Sequence, residues 1–105
     1  MKSLFLGRGA DNRPLCLEPD DRRAHMHVIG SSGSGKSKFL EHLMRQDLDN
    51  RQGFCLIDPH GTLCEDVLKY AAHKVTRQDI IILNLSKPDS VIGFNPFRRP
   101  RKPIA

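Results

Sequence analysis

Gly30, Ser31, Ser32, Gly33, Ser34, Gly35, Lys36 and Ser37 stand consecutively. They meet every fixed position of the pattern G-x-x-x-x-G-K-S/T. A phosphate is a compact, multiply charged anion. A loop encloses one only if backbone N–H groups point inward and no side chain intrudes, and glycine permits both the path and the close approach. A helix beginning at the loop turns its free N–H groups and the positive end of its dipole toward the same anion. Lys36 would then face the β- and γ-phosphates, and the Ser37 hydroxyl would ligate magnesium. With glycine near ~7% of residues, a random match in a chain this short arises roughly once in a few hundred. The competing reading, a flexible serine-glycine linker, is the weaker one, because the match falls between a predicted strand and a predicted helix. The chemistry implied is binding of a nucleoside triphosphate, ATP with Mg2+, along Gly30, Ser31, Ser32, Gly33, Ser34, Gly35, Lys36 and Ser37. Lys36 is the candidate catalytic residue.

The elements that must hold this loop are legible on either side of it. Residues 24–29 (AHMHVI) read as the strand entering it. From Lys36 to Leu48, the residues Phe39, Leu40, Leu43, Met44 and Leu48 recur at helical spacing, and residues 50–53 carry a stop signal. Residues 54–57 read as a second strand, which ends at Asp58, Pro59, His60 and Gly61. Thr62 and Glu65 have the spacing of a capping box, so a helix is predicted over 63–72. Residues 80–83 read as a third strand, 86–90 as a loop and 91–97 as an irregular apolar segment. Ahead of these, residues 3–6 and 14–17 predict a hairpin across a turn rich in Gly, Asp and Asn, and residues 19–23 read as a polar link. Strands alternating with helices predict an α/β fold with a parallel sheet. The expected organisation is a hairpin and link over 1–23, a partial nucleotide-binding domain over 24–97, and a basic, proline-rich tail over 98–105.

Composition is consistent with this. The chain has 105 residues, of which 38% are hydrophobic and 28% charged, and a net charge of +5; this suits one ordinary globular domain. The surplus charge lies mostly in Arg98, Arg99, Arg101 and Lys102, which read either as a solvated tail or as a contact to DNA phosphates. Cys16, Cys55 and Cys64 are odd in number and widely spaced, which argues for a reducing, cytoplasmic setting over a disulfide framework. No secretory signal and no membrane-length apolar run is recognisable.

Other residues admit chemistry less directly. Residues 54–58 have the form of an apolar strand ending in an acid, so Asp58 is a candidate magnesium-site residue; the alternative is a turn residue whose carboxylate accepts backbone N–H bonds. Cys55, His60 and Cys64 fit no zinc spacing, and a packing or turn role is expected. His25 and His27 are expected to be structural. Ser31, Ser32 and Ser34 lack the context of a nucleophile.

The segments HMHVIGSSGSGKS, GFCLIDPHGTL, IILNLS and FNPF together resemble the FtsK–HerA group of P-loop ATPases, over about residues 4–97. The loop alone is shared by many families, whereas its pairing with DPHG is far more specific. The resemblance implies a RecA-like P-loop parallel sheet, ATP and Mg2+ as cofactors, and a motor acting on DNA as a translocase or helicase, or in conjugation and type IV secretion. It further implies homo-hexameric rings and, for the secretion relatives, association with membrane machinery. The family pattern also includes an acidic Walker B strand and an arginine finger, which are not recognisable after Ile80. The chain therefore looks like the N-terminal part of such a motor, truncated or degenerate. It is expected to bind nucleotide and turn it over negligibly. A non-hydrolysing remnant or regulatory module is the alternative, and a small-molecule kinase is the third reading.

Overall fold

A computed structural model describes residues 1–75, 79–87, 93, 95, 97 and 98. The expected loop at 86–90, the apolar segment at 91–97 and the basic tail lie wholly or mostly outside these residues. The elements run β1 (Leu4–Arg8), β2 (Pro14–Leu17), α1 (Pro19–Arg23), α2 (Lys36–Asp49) and α3 (Thr62–Ala71).

The predicted hairpin is present. β1 and β2 pair antiparallel, with Leu4 opposite Leu17, Phe5 opposite Cys16 and Arg8 opposite Pro14; Leu6 is the extra residue of a bulge. The turn is closed by Gly9 N–H to the Arg13 carbonyl and Asn12 N–H to the Gly9 carbonyl, both 2.9 Å. Asn12 takes the left-handed conformation at φ 61, which asparagine tolerates better than most residues.

The polar link is a short helix instead. Pro19 occupies its first turn, Asp20 and Asp21 sit near the positive end of the dipole, and Arg22 and Arg23 near the negative end. Glu18 N–H donates to Asp21 Oδ2 at 3.2 Å. Arg22 reaches from this helix to α2, where its two terminal nitrogens donate to Asp47 Oδ1 and Oδ2, each at 2.8 Å.

α2 lies almost where its apolar spacing placed it and α3 almost where the Thr62–Glu65 spacing did; α2 packs against α3 and against β1. The buried apolar side chains described are Leu4, Leu43, Val67 and Ala71, of which Leu4 is fully buried. Burying a side chain the size of Leu or Val contributes about 1.5–3 kcal/mol, so a core this small leaves polar ties an unusual share of the work. Gln46 acts as one such tie. Its Oε1 accepts Phe5 N–H at 2.7 Å and its Nε2 donates to the Phe5 carbonyl at 2.8 Å. His42 Nε2 stands 2.9 Å from that carbonyl, and its ring meets Phe5 edge-on. On the other face, the Tyr70 hydroxyl lies 2.9 Å from both Asp49 carboxylate oxygens, Lys74 pairs with Asp49 at 3.1 Å, and the Arg45 guanidinium lies 4.7 Å from the Tyr70 ring centroid. The Tyr70 hydrogen bond first, and then Lys74, hold the Asp49 carboxyl below the usual carboxylate range.

The expected parallel sheet is not formed among the described residues. Among the described residues the hairpin is the only sheet, and residues 26–29, 54–57 and 80–83 carry no strand. Met26, Phe54 and Leu56 do lie beside α2, where with Leu43 they line a concavity of about 290 Å³. Ile29, Ile57, Ile81 and Leu83 are exposed. A short apolar run reports a tendency to be buried; a ladder needs a neighbour presenting its N–H and C=O groups in register. Among the described residues these segments have no such neighbour, so their apolar character does not become strand pairing there.

Candidate functional site

The loop between residue 30 and α2 is shaped by its glycines. Gly33 and Gly35 have φ 79 and 95, the left-handed region that side chains with a Cβ resist. Gly30 is required for another reason, since a Cβ there would overlap the Ser34 hydroxyl and lie 3.2 Å from Lys36 Cγ. Ser34 N–H donates to the Ser31 carbonyl at 3.2 Å, closing the turn. Gly35 then caps α2.

The first bond of the helical ladder runs from Phe39 N–H to the Gly35 carbonyl at 2.9 Å. The N–H groups of Lys36, Ser37 and Lys38 thus precede the ladder and have no helical acceptor. They open on a concavity of about 360 Å³ lined by Ser32, Gly33, Gly35, Lys36, Ser37 and Lys38. Lys36 folds back across the loop, its Nζ donating to the Gly30 carbonyl at 2.5 Å and the Ser31 carbonyl at 2.9 Å. The loop therefore gathers one ammonium, free amides at a helix N-terminus, and an exposed Ser37 hydroxyl. Such a donor set, walled by a glycine that leaves no room for a Cβ, fits a polyphosphate.

Asp58 has a different geometry. Its Oδ1 accepts the His60 N–H at 3.1 Å and its Oδ2 the Cys64 N–H at 3.0 Å. Cys64 N–H chiefly holds its carboxyl below the ordinary range; desolvation opposes this, and the amides of His60, Gly61 and Leu63 add to the lowering. The turn-residue alternative describes this arrangement, with the carboxylate capping α3 from just upstream. The predicted Thr62–Glu65 capping box is not formed. Helix α3 starts at Thr62 behind Gly61, whose φ is 83, and the Glu65 N–H donates to the Gly61 carbonyl at 3.0 Å. Asp58 reaches the orphan amides first.

Among the described residues no group of three His, Cys, Asp or Glu side chains could hold a metal ion. Cys16 and Cys55 are exposed, Cys64 is half-buried, and all three are free thiols. His25 and His27 are exposed on a segment without strand pairing, and His25 turns the chain at φ 70. Among the described residues no helix is long and apolar enough to cross a membrane.

Sequence periodicity did not identify the charges buried behind the loop. Glu41 is 3% exposed on α2. Lys38 Nζ donates to its Oε2 at 2.8 Å, and Arg45 pairs with its Oε1. The Lys38 hydrogen bond is the largest influence lowering the Glu41 carboxyl; burial opposes it and Arg45 adds to it. The signal was the run of oppositely charged residues at i, i+3 and i+4 around Glu41.

An α/β chain with a glycine loop opening onto a helix N-terminus has the local build of a nucleotide-binding protein. The family described as "Helicase HerA, central domain" matches residues 4–90, and the chain belongs to that family of nucleotide-binding motor ATPases. No curated protein and no solved structure matches the chain.

Proposed function

We propose that the chain binds ATP with Mg2+ through Gly30–Ser37, as the nucleotide-binding part of a motor that moves DNA in translocation, unwinding or conjugative transfer. The observation that carries this reading is the loop itself, with three amides ahead of the α2 ladder, Lys36 across the mouth, and no room for a Cβ at Gly30. In this reading Gly30, Ser31, Ser32, Gly33, Ser34 and Gly35 provide the cradle. Lys36 exchanges the Gly30 and Ser31 carbonyls for the β- and γ-phosphate oxygens, and Ser37 supplies a protein oxygen to magnesium. Asp58 is at most an indirect member of the magnesium site, since its oxygens cap α3.

The family's architecture supplies the finer fold proposal. Residues 24–29, 54–57 and 80–83 carry no strand pairing in this structure; in this proposal they would become strands of a RecA-like P-loop sheet once paired, and a homo-hexamer around DNA would be the assembly. For the conjugation and secretion relatives, the partner would be membrane-associated machinery on its cytoplasmic side. A second reading, binding with negligible turnover, is favoured by the orientation of Asp58, whose oxygens each accept a backbone N–H, from His60 and from Cys64 of α3. Calorimetry with magnesium and a non-hydrolysable ATP analogue tests the binding. Lys36→Ala should lose at least about tenfold in affinity, or 1.4 kcal/mol, and equal affinity of the two proteins refutes it. Phosphate release measured with and without DNA separates the motor from the binding module.

A further inference from the structure

Lys38 belongs to two structures at once. It lines the loop concavity with Lys36 and Ser37, yet its ammonium is held on the far side, by Glu41 Oε2 at 2.8 Å and by Asp66 Oδ2 of α3 at 3.2 Å. Both carboxylates have a second cation. Arg45 pairs with Glu41, and Lys69 stands 4.0 Å from Asp66. If Lys38 left, neither acid would be stranded without a partner. Lys38 is also 72% exposed, so its ammonium moves through water at little desolvation cost, on a flexible stem. A polyphosphate in the concavity would place several negative charges beside that stem and compete with Asp66 for the ammonium.

We propose that Lys38 is a movable cation of the phosphate site: it ties α3 to α2 through Asp66 when the loop is empty and turns to the phosphate chain when nucleotide binds. The inference rests on the nucleotide-binding reading above. It gives the loop a mechanical output, because occupancy of the concavity releases one tether of α3, the helix that Asp58 caps. Coupling of this kind is reciprocal, so weakening the tether must strengthen nucleotide binding by the same factor that nucleotide weakens the tether.

The test is a double-mutant cycle on the full chain, titrated with magnesium and a non-hydrolysable ATP analogue. Lys38→Met should weaken binding by about three- to tenfold through loss of a charge-assisted contact. Asp66→Asn should tighten it by about threefold, the worth of an exposed ion pair, and should have no effect in the Lys38→Met background. An equal effect of Asp66→Asn in both backgrounds would show a general field of the carboxylate and overturn the proposal. Amide exchange supplies an arm that does not depend on the Lys38→Met protein folding. Saturating nucleotide should speed exchange in α3 of the wild type and leave it unchanged in Asp66→Asn, and unchanged or slower exchange in the wild type overturns the proposal. The Lys36→Ala protein distinguishes the two levels: if it binds as tightly as wild type, the phosphate-loop reading fails and this inference falls with it.

Discussion

Replacing Arg22 by alanine removes the sole cation from the most enclosed carboxylate that α1 touches. The Asp47 side chain is 4% exposed and that of Arg22 is 22% exposed. Both Asp47 oxygens accept from Arg22, at 2.8 Å each, and no other donor among the described residues reaches them. Breaking a buried pair on one side costs about 3–5 kcal/mol, because the remaining charge is left without a partner. Arg22 retains some contact with water, so the low end applies, on the order of 2–3 kcal/mol. At about 4–8 °C per kcal/mol for a domain near this size, the melting temperature should fall by roughly 10–20 °C. Circular dichroism at 222 nm against temperature and urea reads this directly. The double replacement Arg22→Met with Asp47→Leu should recover much of the loss, since apolar residues of similar volume replace buried ion pairs at little cost. A loss below about 0.5 kcal/mol in Arg22→Ala would refute the argument, since that is the range of ordinary surface substitutions. A double variant as unstable as the sum of the singles would refute it too.

Gly30→Ala should fold, but should lose at least about tenfold in nucleotide affinity by calorimetry, because the new methyl group displaces Ser34 and Lys36. Asp58 has its carboxyl lowered in the folded chain, so its contribution is present above the unfolded value near ~4 and is lost as pH falls through the folded value. Acid titration followed by dichroism should therefore show a shallower loss below about pH 4 in Asp58→Asn than in wild type; identical acid limbs would remove Asp58 from the cap. Gln46→Ala deletes two hydrogen bonds to Phe5 and should cost about 1–3 kcal/mol in urea unfolding, with amide exchange accelerated at Phe5 first.

The loop's backbone path was partly readable, because Gly33 and Gly35 stand where the chain takes positive φ ahead of α2. α2 was readable because Phe39, Leu40, Leu43, Met44 and Leu48 recur at helical spacing, and α3 because Thr62 and Glu65 marked a helix start, although the box itself is not formed. Three features were hidden for physical reasons. The segments around Ile29, Ile57 and Ile81 have strand-like composition, but pairing is a property of two segments together and composition describes one. Glu41 and Asp47 look like solvent-facing residues and are tolerated in buried positions because Lys38, Arg45 and Arg22 reach in from more exposed positions to pair with them. The helix at Pro19–Arg23 did carry its own signals in Pro19 and its charge order, yet five residues without an apolar stripe gave periodicity nothing to detect. Asp58 was left between two roles by its sequence, and distances of 3.0 and 3.1 Å to backbone nitrogens show the geometry of the turn role.

The grip of Gln46 on Phe5 also determines which side of the hairpin can recruit another strand. Phe5 N–H and C=O point away from β2, along the outer edge of β1, and a side-chain amide already satisfies both. The bulge at Leu6 interrupts the same edge immediately afterwards. A foreign strand approaching there would find its first docking pair taken and the following register broken, and both devices discourage edge-to-edge growth. The opposite edge, along β2, begins at Pro14, which offers no N–H. Both margins of this two-stranded sheet are thus hindered against further pairing, and α2, the helix that follows the glycine loop, is also the element that guards the β1 edge.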